Sequence, residues 1–153
     1  MDKQAFEQLV DQYGAKLFEY LRLSLPSPQD AGDVYQETLL SAWESRHSFD
    51  RRSQPHTWLS VIAKRRIADF YRRRLPTEEL EDESDQASDF TLSVDLKTSL
   101  ETLKLSDQRL LFLIFQMGLT YQEIAAIEDI PVGTIKSRFF TLKNKLRTML
   151  KED

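Results

Sequence analysis

Residues 120–142, TYQEIAAIEDIPVGTIKSRFFTL, constrain the fold most, because they spell two helices separated by a very short break. Thr120 and Glu123 have the spacing of a capping box, in which each side chain satisfies an orphan amide at a helix start. Ile124, Ala125 and Ile127 give the short first helix an apolar face, and the small Ala125 suits a point where two helices touch. Glu128, Asp129 and Ile130 form the break, where an Asp tolerates the left-handed backbone that such turns need. Pro131 fits the first position of a second helix, where its missing amide costs nothing. Ile135, Phe139 and Leu142 then recur at helical spacing, which leaves Thr134, Lys136, Ser137 and Arg138 on or beside the open face. A second helix so arranged presents its first turns to a DNA major groove.

Periodicity alone is satisfied equally by a helical hairpin packed on a core. Charge shifts the balance toward DNA. From 136 to 151 there are six cations, Lys136, Arg138, Lys143, Lys145, Arg147 and Lys151, and no acid. A helix face that is merely solvated usually mixes signs.

The rest of the chain also reads as helix. Strand-like alternation is missing, and four glycines in 153 residues leave few tight turns. A first helix is expected over 3–23, with Phe6, Val10, Tyr13, Leu17 and Leu21 on its buried face. Ser27 as N-cap, Pro28 at the first helical position and Asp30 open a second helix that runs to about 46. Its inward residues are Ala31, Val34, Thr38, Leu39 and Ala42, while Asp30, Asp33, Gln36, Glu37 and Glu44 make its remaining surface acidic. A polar loop over 47–54, anchored by Phe49, leads to a third helix from Pro55 to about 75. Leu59, Ile62, Ala63, Ile67 and Phe70 form its core face.

Net charge is −4, which taken alone argues against a nucleic-acid binder, but the charges are segregated. Residues 64–74, KRRIADFYRRR, hold six cations and one acid, and residues 78–89, EELEDESDQASD, hold seven acids and no cation. Two basic segments separated by an acidic one sustain local positive fields despite a negative total. The acidic stretch is poor in large apolar residues and reads as a flexible linker over 77–92. Extended, it spans on the order of 50 Å. A second domain is expected from Ser93, with one helix marked by Leu96, Leu100 and Leu103. Another is capped by Ser106, carries Leu110, Leu111, Leu113, Ile114 and Phe115, and ends at Gly118.

The fold class that follows is all-α: two small helical domains joined by an acidic flexible linker, the second holding a helix-turn-helix. The chain has no Cys, so disulfides and thiolate metal sites are excluded. His56 has no clustered carboxylate or second ligand, so no metal or other cofactor is expected. No Gly-rich phosphate loop or nucleophile with a base is present, so no catalytic activity is expected. The opening MDKQAFEQLVDQ lacks a basic-then-apolar leader, and no apolar run approaches a membrane span. The expected location is the cytoplasm, without membrane insertion.

With these residues in view, the chain resembles the bacterial RNA polymerase sigma factors of the two-domain, extracytoplasmic-function class. Residues 30–50, DAGDVYQETLLSAWESRHSFD, are similar to the family segment that docks on the polymerase clamp helices. Residues 58–74, WLSVIAKRRIADFYRRR, are similar to the helix that meets the minus-10 promoter element. Residues 118–147, GLTYQEIAAIEDIPVGTIKSRFFTLKNKLR, match the reader of the minus-35 element, and 6–21 suit the opening helix. The resemblance departs at Arg65, where the family often has Asn, at Asp129, usually Gly, and at Lys104, often Pro.

The resemblance implies a division into 1–76 for polymerase docking and minus-10 recognition, 77–92 as linker, and 93–153 for minus-35 recognition. Polymerase contact falls to Asp30, Asp33, Gln36, Glu37 and Trp43. Minus-10 contact falls to Arg52, Ser53, His56, Lys64, Arg65, Arg66, Arg72 and Arg73, while Arg72, Arg73 and Arg74 serve phosphate affinity more than base choice. Minus-35 contact falls to Tyr121, Gln122, Gly133, Thr134, Lys136, Ser137, Arg138 and Lys143. The implied partners are core RNA polymerase, promoter DNA and an anti-sigma factor. A free-standing helix-turn-helix regulator, or an adaptor whose basic helices meet an acidic protein, remains open on the residues alone.

Overall fold

The computed structural model describes residues 1–74 and 103–151. Within them the order is α1 (Lys3–Ser24), α2 (Pro28–Glu44), a 3-10 turn (Arg46–Ser48), α3 (Pro55–Arg74), α4 (Leu105–Leu111), a π turn (Phe112–Gln116), α5 (Tyr121–Glu128) and α6 (Val132–Lys151). No strand occurs among the described residues. The expected linker at 77–92 and the helix expected through Leu96 and Leu100 lie outside the described residues. The chain divides into two compact units, one built on α1–α3 and the other mainly on residues after Leu103.

In the first unit each helix packs on the other two. The starts of α1 and α2 are set by short polar side chains that take orphan amides. Asp2 accepts from the Ala5 amide at 2.8 Å and Ser27 from the Asp30 amide at 3.1 Å. Leu9, Leu17, Leu21, Val34, Ala31, Ala42, Leu59, Ile62 and Ile67 form the core. Each large one contributes roughly 1.5–3 kcal/mol by leaving water. Buried hydroxyls are satisfied one turn back: Thr38 donates to the Val34 carbonyl at 2.7 Å and Ser60 to that of His56 at 2.8 Å. Tyr71 donates to the Ser24 carbonyl at 2.6 Å, which ties the end of α3 to the end of α1.

The buried arc of α1 is wider than the expected stripe. Leu9 and Gly14 are buried, while Phe6, Val10 and Tyr13 are only half-buried. A helix gripped by two neighbours buries more than one stripe, and its half-buried aromatics pair with rings on the neighbouring helices. Phe6 meets Trp43 with ring centroids 5.3 Å apart, and Tyr13 stacks on His56 at 4.7 Å. At Gly14 the tip of the Tyr35 side chain of α2 lies close over α1, since a Cβ there would lie 2.7 Å from its hydroxyl.

In the second unit α4 begins at Leu105 with Lys104 at the N-cap, so Ser106 sits inside the first turn and does not cap it. The Gln108 side-chain amide donates to the Leu103 carbonyl at 2.8 Å. Beyond Leu111 the helix widens, and the Met117 amide donates to the Phe112 carbonyl, five residues back, at 3.0 Å. This widening breaks the 3.6-residue phase on which the expected core face rested. Leu110, Leu111 and Leu113 stay buried, but Phe115 is 68% exposed. Gly118 closes the element at φ 65°, a left-handed value that Gly adopts without strain.

Candidate nucleic-acid interface

The helix-turn-helix forms as its residues require. Thr120 and Glu123 complete the reciprocal capping box of α5. Ile124, Ala125 and Ile127 are buried. Asp129 takes the left-handed conformation, φ 55° and ψ 48°, and its amide donates to the Ala125 carbonyl. The Ile130 amide bonds the same carbonyl at 3.1 Å, so one acceptor ends the helix twice. Helix α6 starts at Val132, and the Pro131 carbonyl takes the Thr134 and Ile135 amides at 3.0 and 3.2 Å. Pro131 therefore stands one position before the first helical residue, a shift within the usual latitude of helix ends.

Ile135 and Leu142 anchor α6 in the core. Half-buried Phe139 lies 6.1 Å from the Phe115 ring and 6.0 Å from that of Tyr121. On the other side Gly133, Lys136, Ser137, Arg138 and Lys143 are exposed, and Thr134 is half-buried. Gln122 of α5 is exposed and Tyr121 half-buried. The Lys143 ammonium stands 6.0 Å from the Phe139 ring, an aromatic contact that still leaves the charge in water. An open, wholly cationic helix beginning at a tight turn can neutralise phosphates while its first turns meet base edges.

The basic end of α3 is laced with ion pairs. Arg66 and Arg72 both pair with Asp69 at 3.0 Å. Arg73 reaches Glu37 at 3.7 Å and Arg74 reaches Asp30 at 3.0 Å, both on α2. Arg65 is exposed and Lys64 half-buried. In the preceding loop Arg52 pairs with Asp50 at 3.1 Å and Ser53 is exposed. Arg51 there has φ 64°, a strained value for an Arg. A concavity opens beside this loop, lined by Gln8, Tyr13, Phe49, Arg51, Gln54 and His56 among others.

On α2, Asp33, Gln36 and Glu37 are exposed on one face. Asp30 is drawn into capping, since the Ser27 hydroxyl donates to it at 2.9 Å. Trp43 is half-buried against Phe6 and carries the Arg46 guanidinium 3.7 Å above its ring. Leu40, absent from the expected docking residues, is 58% exposed on the same side as Gln36 and Glu37. Its signal was phase: Leu40 falls out of step with Ala31, Val34, Thr38 and Ala42.

Two stretches match known families. Residues 9–75 match sigma-70 region 2 and residues 93–146 match sigma-70 region 4. The ECF RNA polymerase sigma factor SigW of Bacillus subtilis is 30% identical to this chain, over 99% of it and 91% of the relative. The chain belongs to the ECF RNA polymerase sigma factors. The ECF RNA polymerase sigma-E factor of Escherichia coli is also 30% identical, over 98% of this chain and 91% of its own. Among solved structures, the sigma factor RpoE in complex with the anti-sigma factor NepR from Bartonella quintana aligns at TM-score 0.70 and 27% identity. That match covers 98% of this chain and 99% of the other. CnrH, solved in complex with the cytosolic domain of CnrY, shares the fold at TM-score 0.64 and 24% identity, covering 99% and 91%.

As an ECF sigma factor, the protein directs bacterial RNA polymerase to promoters for transcription initiation. A free-standing operator-binding regulator is not favoured, since region 2 accompanies region 4 in one chain. Among the described residues no helix is long and apolar enough to cross a membrane.

Proposed function

We propose that the protein holds a promoter by two grips while α2 holds the polymerase. Residues 1–76 dock on core RNA polymerase and meet the minus-10 element, residues 77–92 link, and residues 93–153 read the minus-35 element. Docking runs through Asp33, Gln36 and Glu37, with exposed Leu40 adding an apolar contact amid the acids. Asp30 and Trp43 contribute chiefly by shaping α2. Lys64, Arg65, Arg66, Arg72 and Arg73, with Arg52, Ser53 and His56 from the preceding loop, meet the minus-10 strand. A base released by strand opening enters the concavity beside Tyr13 and His56. Lys136 and Arg138, flanked by Tyr121, Gln122, Gly133, Thr134, Ser137 and Lys143, enter the major groove at minus-35.

The observation that supports this reading is segregation of charge on separate elements: acids outward on α2, cations on α3 and on α6. Each neutralised phosphate releases counterions, so the two cationic helices supply affinity that falls with salt. The linker's acids take a place on the polymerase built for a nucleic-acid strand. The protein works in the cytoplasm, performs no bond-making step itself, uses no cofactor, and is restrained by an anti-sigma protein. Footprinting of the reconstituted holoenzyme, on promoters drawn from a genomic fragment library, tests the arrangement. Two protected patches are expected, and substitution of Lys136 and Arg138 by Ala should erase the upstream patch alone. Protection by the free protein equal to that by holoenzyme would contradict it.

A further inference from the structure

Residues 64–74 carry six cations and a single acid, Asp69. On a helix whose task is to neutralise phosphate, a carboxylate is locally unfavourable, because it repels the backbone that its neighbours attract. Its placement accounts for its presence. One carboxylate oxygen takes Arg66 Nη2 at 3.0 Å and the other takes Arg72 Nη1 at 3.0 Å, so a single group fixes two guanidiniums one turn to either side. Asp69 is largely covered, with its side chain 22% exposed, whereas Arg72 is 76% exposed.

Arg66 depends on this carboxylate more than an ordinary surface arginine would. Its side chain is about one-third exposed, and its Nε is buried with no hydrogen-bond partner among the described residues. A guanidinium that gives up solvent at one nitrogen is held in place by what it gains at another. Without the Asp69 carboxylate, Arg66 regains water by swinging outward, and Arg72 loses the contact that limits its rotamers.

We infer that Asp69 is a positioning residue for the minus-10 grip, setting Arg66 and Arg72 in the orientation that meets the promoter backbone. This rests on α3 being the minus-10 helix. Asp69 itself touches no DNA: it spends one negative charge to pre-order two positive ones, and each ordered side chain saves entropy when the complex forms.

The sign of a single substitution separates this role from simple electrostatics. If Asp69 were only a charge on a DNA-facing helix, Asp69→Asn would tighten promoter binding. Positioning demands the reverse. The test is promoter-complex formation by holoenzyme, reconstituted with core polymerase, across a salt series. Asp69→Asn is expected to weaken the complex roughly three- to tenfold, with polymerase capture unchanged. Asp69→Glu should recover most of the loss. In an Arg66→Ala, Arg72→Ala background, Asp69→Asn should cause no further weakening. Equal or tighter binding by Asp69→Asn would overturn the proposal, leaving an ordinary helix-surface ion pair. Loss of polymerase capture in step with promoter binding would also overturn it, by making Asp69 a folding residue. If the Arg66→Ala, Arg72→Ala pair alone leaves the promoter complex intact, the minus-10 assignment of α3 falls, and the role of Asp69 with it.

Discussion

Thr120 and Glu123 cap α5 reciprocally: the Thr120 hydroxyl accepts the Glu123 amide at 3.1 Å, and the Glu123 carboxylate accepts the Thr120 amide at 3.1 Å. An eight-residue helix has little propensity of its own to draw on, so this cap carries a large share of its local stability. Thr120→Ala should cost about 1 kcal/mol. Amide hydrogen exchange in α5 should then quicken about fivefold, and an unchanged rate would contradict the cap's role.

Asp129 holds the turn at a left-handed backbone that costs an L residue about 1–2 kcal/mol, less for Asp. Asp129→Gly removes that strain but loosens the unfolded chain, so stability should rise by about 0–1 kcal/mol. Asp129→Val should lose about 1–2 kcal/mol, because a β-branched residue resists this region. Thermal unfolding orders the three, with Gly at or above Asp and Val last.

Gly14 and Tyr35 form a tight contact between α1 and α2, and burial pushes the Tyr35 hydroxyl above its ordinary value near 10. Because the raised value favours the neutral form in the folded state, this stability is complete below pH 10 and is lost as pH rises further. Gly14→Ala gains about 1 kcal/mol of helix propensity but pushes on that hydroxyl. In a Tyr35→Phe background the push is gone, so Gly14→Ala should stabilise more there than in the parent. Equal effects in both backgrounds would contradict the contact.

Exposed Asp33 and Glu37 share a face of α2 with exposed Leu40. Charge reversal at Asp33 and Glu37 should weaken capture of core polymerase about tenfold or more, and Leu40→Asp should do the same with little change in melting temperature. Unchanged capture would remove α2 from the docking surface.

The contrast between Leu17 and Phe115 explains how much of this was legible in the sequence. Leu17 sits in a regular helix whose 3.6-residue phase can be read from spacing, and it is buried as expected. Phe115 lies within a π turn, and no composition or spacing announced the widening that turns it outward. Caps were legible where a side chain reaches its own helix start, as at Ser27 and Thr120. Ser106 has the chemistry of a cap but not the position, because the helix begins at Leu105 with Lys104 at the N-cap. The open cationic face of α6 was legible, since Lys136 and Arg138 are exposed. The pairing of Arg73 with Glu37 and of Arg74 with Asp30 was not, because it depends on how α3 packs against α2.

Under the proposed function, α6 places the polymerase and does not merely bind DNA. Run-off transcription with core polymerase, on a promoter with and without its minus-35 element, tests it most directly. The parent protein should initiate at a defined start on the intact promoter. Lys136→Ala with Arg138→Ala should lower that initiation by about tenfold or more, to the level of the promoter lacking minus-35, with polymerase capture intact. Initiation by the double variant equal to the parent's, or equal dependence of both on the minus-35 element, would contradict the account.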